Sequence, residues 1–361
     1  MDLGLFTMPI HPPSRTYAET LKEDRELFVL ADKLGFTEGF VGEHITDAAE
    51  TITSGLIFIA WLLRETERIR LGTGTINLPN HHPAMVAAEV AMVDHMAEGR
   101  FIMGISPGGL MSDAEAMGNL GRNRGAMFLE AIEQVLAIWA GEAPYDLKGE
   151  FWEISTAKTL MRDLGQGIIK QPYQSPHPPI VVTAASPFSS SASQAAERGW
   201  ELISANFLQP KWVASHWPKF VEGAAKAGRA PDPKTWRVAK SIFVADDRSV
   251  AERYATEAGG PYHFYYRSLF TKLKSGGRAV QFKLDPDQPD DSLSVETIVD
   301  QLVSRGDVDQ VVDGILAFRE EVGDFGTLLY AGHDWQDPDL ARRSMRLMAE
   351  EVMPRVNAAL G

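Results

Sequence analysis

Histidines, carboxylates and serines that could move protons or hold anions fall just after short apolar runs in this chain. Glu43-His44 follows Gly39 to Gly42. Asn77 and the pair His81-His82 follow Ile69 to Ile76, and Pro107-Gly108-Gly109 follows Phe101 to Ser106. Pro9, Ile10 and His11 follow the first run, and Ser186 to Ser191 follow Ile180 to Ala184. His44, with an ordinary imidazole pKa near 6.5, suits proton transfer at neutral pH, and a structural hydrogen bond is its competing role. The hydroxyls of Ser186, Ser189, Ser190 and Ser191 precede a predicted helix. They could hold a phosphate with the free N–H groups and positive dipole end of that helix; simple N-capping is the competing role.

Three sharper patterns fail on physics. Gly72-Thr73-Gly74-Thr75-Ile76-Asn77 starts like a dinucleotide fingerprint. It lacks the third glycine, and the next helix opens only at Pro83, so no tight turn feeds a helix N-terminus. Its glycines read as a close-packed strand unless a cofactor ring must approach the backbone. Gly104-Ile105-Ser106-Pro107-Gly108 matches the G-x-S-x-G elbow of serine hydrolases, with Ser106 as nucleophile and His333 as base. The oxyanion hole of that elbow needs the N–H of the residue after the serine, and Pro107 has none. No metal is expected. There is no H-E-x-x-H, adjacent His81 and His82 cannot readily face one ion, and cysteine is absent.

The elements that must position these residues alternate. Short runs at Leu3 to Met8, Gly39 to Gly42, Ile69 to Ile76, Phe101 to Ser106, Ile180 to Ala184, Trp200 to Ser204, Trp236 to Val244 and Gly326 to Tyr330 predict eight strands. Helices are predicted between them. Thr16-Tyr17-Ala18-Glu19 is a capping box that opens one through Leu34, and Arg124 to Ala140 repeats its apolar residues with a 3.6-residue period. Eight β-then-α units make one (β/α)8 barrel domain over residues 1–361, with active groups at the C-terminal ends of the strands. Two stretches break the rhythm: 141–179, read as a hairpin excursion, and the polar 272–292 with Gly276-Gly277, read as a mobile lid.

Lys and Arg total 35 against 49 Asp and Glu, a formal charge of −14. An acidic surface disfavours nucleic acid and anionic lipid. No apolar run is long enough to span a bilayer and no signal peptide opens the chain, so a cytoplasmic protein is expected.

In order, the residues also carry a family likeness. Gly35-Phe36-Thr37 leads to Glu43-His44, then Leu71-Gly72-Thr73-Gly74-Thr75-Ile76, Leu78-Pro79, His82-Pro83, and Asp94 with Gly99-Arg100-Phe101. Gly104, Pro178-Pro179-Ile180, Ala195-Ala196-Glu197-Arg198-Gly199 and Val352-Met353-Pro354 continue it. Over nearly its whole length the chain resembles the bacterial-luciferase-like flavin monooxygenases. Leu5-Phe6-Thr7-Met8-Pro9, Val41-Gly42-Glu43-His44 and His81-His82-Pro83-Ala84 look most like the limonene-monooxygenase type.

The resemblance implies reduced FMN delivered by a separate flavin reductase, O2, a C4a-peroxyflavin, and a small apolar substrate such as a terpene, cyclic ketone or aldehyde. It implies a homodimer. His44 would be the active-site histidine, and Gly74-Thr75 a cis peptide under the flavin ring. Ser106, Gly108, Gly109, Arg124, Ser186, Ser189 and Ser190 would bind the cofactor. Luciferase carries a basic phosphate ligand where this chain has Pro107, so phosphate would be gripped instead by the N–H groups of Gly108 and Gly109. That departure keeps an F420-dependent dehydrogenase on the same fold as the alternative.

Overall fold

The computed structural model describes residues 1–8 and 10–361; Pro9 lies outside them. Eight parallel strands close into a barrel: β1 (Asp2–Thr7), β2 (Glu38–Val41), β3 (Arg70–Thr73), β4 (Phe101–Ser106), β5 (Ile180–Ala184), β6 (Glu201–Ser204), β7 (Trp236–Val244) and β8 (Thr327–Gly332). Each pairs with its sequence neighbour, and β8 pairs back onto β1 from Asp2 opposite Thr327 to Thr7 opposite Gly332. The two-residue strand Ile76–Asn77 adds to β4, which splits the single predicted run Ile69 to Ile76 at Gly74-Thr75.

Inside the barrel a layer of Phe6, Phe40, Ile102, Val181, Ile203, Ala239 and Leu329 takes one side chain from seven of the eight strands. The eighth contribution, on β3, is Gly72: a Cβ there would stand 2.5 Å from the Phe40 ring. That is the close-packed strand the glycines predict. Below this layer Arg237 reaches Glu38 on the opposite wall and Glu201 at 2.6 Å, so the N-terminal end is closed by paired charges.

The outer helices follow the sequence. Thr16 caps Tyr17–Leu34 with the expected box, and Gly35 ends it at φ 83°. Trp61 lies on the outer face of helix Gly55–Leu62 under the Arg25 guanidinium. The excursion 141–179 holds an antiparallel hairpin, Asp146–Lys148 with Glu153–Ser155. Between β7 and β8 the chain adds helices Pro261–Ser275, Val295–Leu302 and Val308–Val322 and an outer strand Val303–Gly306 on β7.

The polar stretch 272–292 buries more than its composition predicts. Ala279, Gln281, Phe282 and Lys283 are buried. The Gln209 amide donates to Phe282 O at 2.9 Å and the Trp212 indole to Lys283 O at 3.0 Å. Side-chain donors satisfy this short turn's carbonyls, so it needs no apolar run of its own. Among the described residues no helix is long and apolar enough to cross a membrane.

Candidate active site

β2 ends at Val41, and the loop after it carries the carboxylate and imidazole that sequence spacing singled out. The Glu43 carboxylate is buried. It accepts from Gly55 N at 2.9 Å, Asn77 N at 3.2 Å and the His81 ring at 3.2 Å, which ties three loops together. His44 projects the other way. Its Nδ1 lies 2.7 Å from Asp113 Oδ2 and its Nε2 3.4 Å from Glu50 Oε2. Asp113 sits on the short helix Met111–Ala116, where Thr46 N also donates to it at 3.0 Å. Burial alone would push the imidazole pKa down; the Glu50 charge and the Asp113 hydrogen bond more than reverse this, so His44 titrates above its ordinary range. Lys272 bonds Asp47 and reaches Glu50 at 3.2 Å, placing a fixed cation beyond that carboxylate.

Asp113, Glu50 and Lys272 were not marked by any sequence signal. The His44–Asp113 pair is 69 residues apart, and no periodicity or motif relates the two.

At the ends of β3 and β4 a second network forms. The Gly74–Thr75 peptide is cis. Thr75 Oγ1 donates to Ser106 Oγ at 2.7 Å, Gly108 N donates to the same oxygen at 3.1 Å, and Ser106 donates to Asn77 Oδ1 at 2.9 Å. One donor and two acceptor positions exhaust a hydroxyl. Ser106 thus holds together Thr75, Asn77 and the Gly108 turn, whose φ of 77° suits glycine. Among the described residues no base meets Ser106, and His333 Nε2 lies 3.0 Å from Ser241 Oγ, with burial driving that imidazole down to about 3.

Arg124 opens helix Arg124–Ala140 and donates from Nη1 to Gly108 O at 3.1 Å. Ser189, at the N-cap of helix Ser190–Arg198, makes no side-chain capping bond; its hydroxyl pairs with Ser191 Oγ at 2.8 Å. The competing N-capping role is therefore not the one the Ser189 side chain fills, and in the first turn Ala192 N donates to the Ser189 carbonyl at 3.2 Å. Ser186 and Ser190 are exposed at the same turn. The strands carrying these two loops, β4 and β5, are neighbours. His11 lies elsewhere, buried between Asp24 and Asp334, and His82 caps helix Pro83–Ala97.

Residues 1–324 match the model of the luciferase-like monooxygenase family. The chain is 31% identical to 4-hydroxyprotoasukamycin monooxygenase of Streptomyces nodosus subsp. asukaensis, over all of this chain and 93% of that one. It is 28% identical to limonene 1,2-monooxygenase of Rhodococcus erythropolis, over all of this chain and 88% of that protein. Its fold superposes with a TM-score of 0.88 on the oxygenating constituent of 3,6-diketocamphane monooxygenase of Pseudomonas putida, a type II Baeyer-Villiger enzyme solved with FMN. That match is 27% identical and covers 99% of this chain and 98% of that one.

Proposed function

The chain belongs to the luciferase-like monooxygenase family, and from that premise we propose that it is the oxygenating half of a two-component system. It would take reduced FMN from a separate reductase and insert oxygen from O2 into a small apolar terpene, cyclic ketone or aldehyde. The observation that carries this reading is His44, clamped between Asp113 and Glu50 at the end of β2, two strands from the Ser106 network that braces Gly74-Thr75 and Gly108.

The residues fit a flavin with a phosphate. Arg124 has no carboxylate partner among the described residues, and its guanidinium keeps N–H donors beyond the one spent on Gly108 O. The uncapped helix at Ser190 offers backbone donors and a favourable dipole end. Gly108 and Gly109 would complete the grip. When bound, reduced flavin supplies the two electrons that activate O2, so that one oxygen atom enters the substrate and the other leaves as water.

The protein's own part is positioning and proton handling. Asp113 fixes Nδ1 of His44, leaving Nε2 as the nitrogen that gives or takes a proton. Because its neighbours favour the cation, His44 starts as a donor near neutral pH. Segment 272–292 would act as the lid that excludes water. Exposed Ile57 and Trp61 on one helix and Met85, Met92 and Met96 on the next form an apolar face that a second copy of the chain would cover, which supports a homodimer. A lack of cysteine and dependence on a reductase fit a cytoplasmic enzyme.

The test combines purified protein with a flavin reductase, FMN, NADH and a panel of terpenes, cyclic ketones and aldehydes, followed by product analysis. An oxygenated product that requires O2 and FMN is expected. Oxygen-independent turnover with F420, and quenching of F420 rather than FMN fluorescence on titration, would replace this reading by the dehydrogenase on the same fold.

A further inference from the structure

The barrel mouth has two unlike walls. Alternation along the strands puts Gly42, Gly74, Ala205, Ser241 and Ala331 one inward step above the closed layer, and His333 one step above Ala331. On the side of β2 and β3 stand His44 and Gly74-Thr75. The wall from β6 to β8 is polar in another way. There Asn206, Ser241 and His333 are joined to one another and to Tyr265 and Tyr266 of helix Pro261–Ser275. Burial raises the Tyr265 phenol and the Glu50 carboxylate adds to it, so this wall stands within electrostatic reach of the His44 cluster.

The protons of this network can be placed one by one. Tyr266 donates to Ser241 Oγ at 2.9 Å, and Asn206 Nδ2 donates to the same oxygen at 3.1 Å. Tyr265 donates to Asn206 Oδ1 at 3.0 Å, which fixes that amide's orientation. Both acceptor positions of the Ser241 hydroxyl are filled, so its one proton goes to His333 Nε2 at 3.0 Å. The titratable groups against the imidazole are the Tyr262 and Tyr265 phenols, each with its ring centroid 4.4 Å away, and Asp334 next along the chain. Burial keeps both phenols protonated and the imidazole neutral. A neutral ring that accepts at Nε2 carries its proton on Nδ1. Among the described residues that N–H has no partner, although the ring keeps part of its surface exposed. Every other side-chain polar atom of the cluster has one. A donor left over from so complete a network points to an acceptor that arrives with a ligand.

We propose that His333 is a specificity residue, whose Nδ1–H takes the carbonyl oxygen of the substrate and so selects a ketone or aldehyde over a hydrocarbon of the same shape. This rests on the monooxygenase reading above and narrows its substrate class. An olefinic terpene brings no acceptor and would leave the donor unpaired, and a site built around a hydrogen bond discriminates against the analogue that lacks it.

The test uses the full-length protein loaded with oxidised FMN. The probes are cyclic ketones and aldehydes, each paired with the methylene analogue in which C=CH2 replaces C=O. Calorimetry gives affinity, and infrared spectra of the isotope-labelled carbonyl report its hydrogen bond. At least one carbonyl probe should bind wild type roughly tenfold tighter than its methylene partner, with its stretch moved to lower frequency. His333→Phe should remove both effects. His333→Asn, which keeps an amide N–H near the Nδ1 position, should retain part of each; His333→Gln, whose amide falls at the Nε2 position, should not. FMN affinity reports folding in every variant, and if His333→Phe fails to hold FMN the contrast between Asn and Gln decides. The proposal is overturned if no carbonyl probe outbinds its partner, if preference and frequency shift survive in His333→Phe, or if the Asn and Gln variants behave alike. Product analysis of the same panel with reductase, NADH and O2 separates the two levels. Oxygenated products formed without preference for carbonyl compounds remove the His333 assignment alone. Turnover with F420 in the absence of O2 removes the monooxygenase reading with it.

Discussion

Two histidines sit in clusters of the same composition and come out differently. His11 lies between Asp334, 2.6 Å from Nδ1, and Asp24, 3.1 Å from Nε2, with Glu23 and Arg15 completing the group. His44 lies between Asp113 and Glu50, with Asp47 and Lys272 completing the group. Each cluster has one imidazole, three carboxylates and one fixed cation. The backbone bridge between Ile10 and Glu50 joins the loops that carry them. What differs is closure. His11 is 2% exposed and both its nitrogens are in good hydrogen bonds, so the cluster fastens helix Tyr17–Leu34 to the loops after β1 and β8. His44 is 18% exposed, and Glu50 Oε2 beside it has no hydrogen bond of its own. Residue types do not separate a fastener from a reaction site; an unsatisfied edge does. His11, Glu23 and Asp334 even bring ligand atoms within 4.8 Å of one another as a metal site would, but Arg15 Nη1, 2.8 Å from Glu23 and 2.5 Å from Asp334, is placed where the cation would be.

The largest effect that could break this comparison is on stability. His11→Ala leaves two buried carboxylates facing each other without their shared partner, and should cost about 3–5 kcal/mol of unfolding free energy in a denaturant titration. The folded fraction should still turn over normally. His44→Ala should do the reverse: near-native stability, flavin affinity within a few-fold, and coupled product formation down by ~10²-fold. Turnover unchanged in His44→Ala, or lost in a fully folded His11→Ala, would mean that the roles are exchanged or absent.

A smaller effect separates the clusters by pH. Burial opposes charge on His11, but the Asp24 and Asp334 contacts overcome it and raise its pKa to about 9. A pKa higher in the folded state than in the unfolded one adds stability that is complete below about 6.5 and lost as pH rises through about 9, because between those values folding takes up a proton. Thermal midpoints of the wild type should therefore fall between neutral pH and pH values above about 9. His11→Gln, lower throughout, should lose that slope. A wild-type slope that survives in His11→Gln would assign it to another group.

How much of this was legible in the sequence depends on distance along the chain. Strand β4, helix Arg124–Ala140 and helix Ser190–Arg198 come out with the bounds their periodicity and caps predict, because those signals are local. Helix Pro261–Ser275 was missed although Pro261 opens it and Tyr262, Tyr265, Tyr266, Leu269, Phe270 and Leu273 are buried at helical spacing. Aromatic residues and the polar stretch after it masked the pattern. At the site, His44, Ser106 and Arg124 were marked by their places after strands or at a helix start. Their partners were not: Asp113 meets His44 and Lys272 meets Glu50 only through the fold, and no motif marks Glu50 on the loop it shares with His44.

The smallest effects sharpen the His44 side alone, through two substitutions of opposite sign. Asp113 stabilises the imidazolium by hydrogen bond and charge, whereas the Lys272 cation opposes it. Asp113→Asn keeps the shape and removes the charge, so the pH at which coupled turnover loses its protonated donor should move down. Lys272→Met removes the cation and leaves Asp47 and Glu50 unbalanced beside the ring, so the same limb should move up. Neither substitution touches the phosphate loops, and FMN affinity at neutral pH should stay near wild type in both. A purely structural role for either residue would lower turnover at every pH without moving the limb. If both variants shift the limb in the same direction, the charges around His44 do not set its protonation, and the donor must be sought on another group facing the pocket.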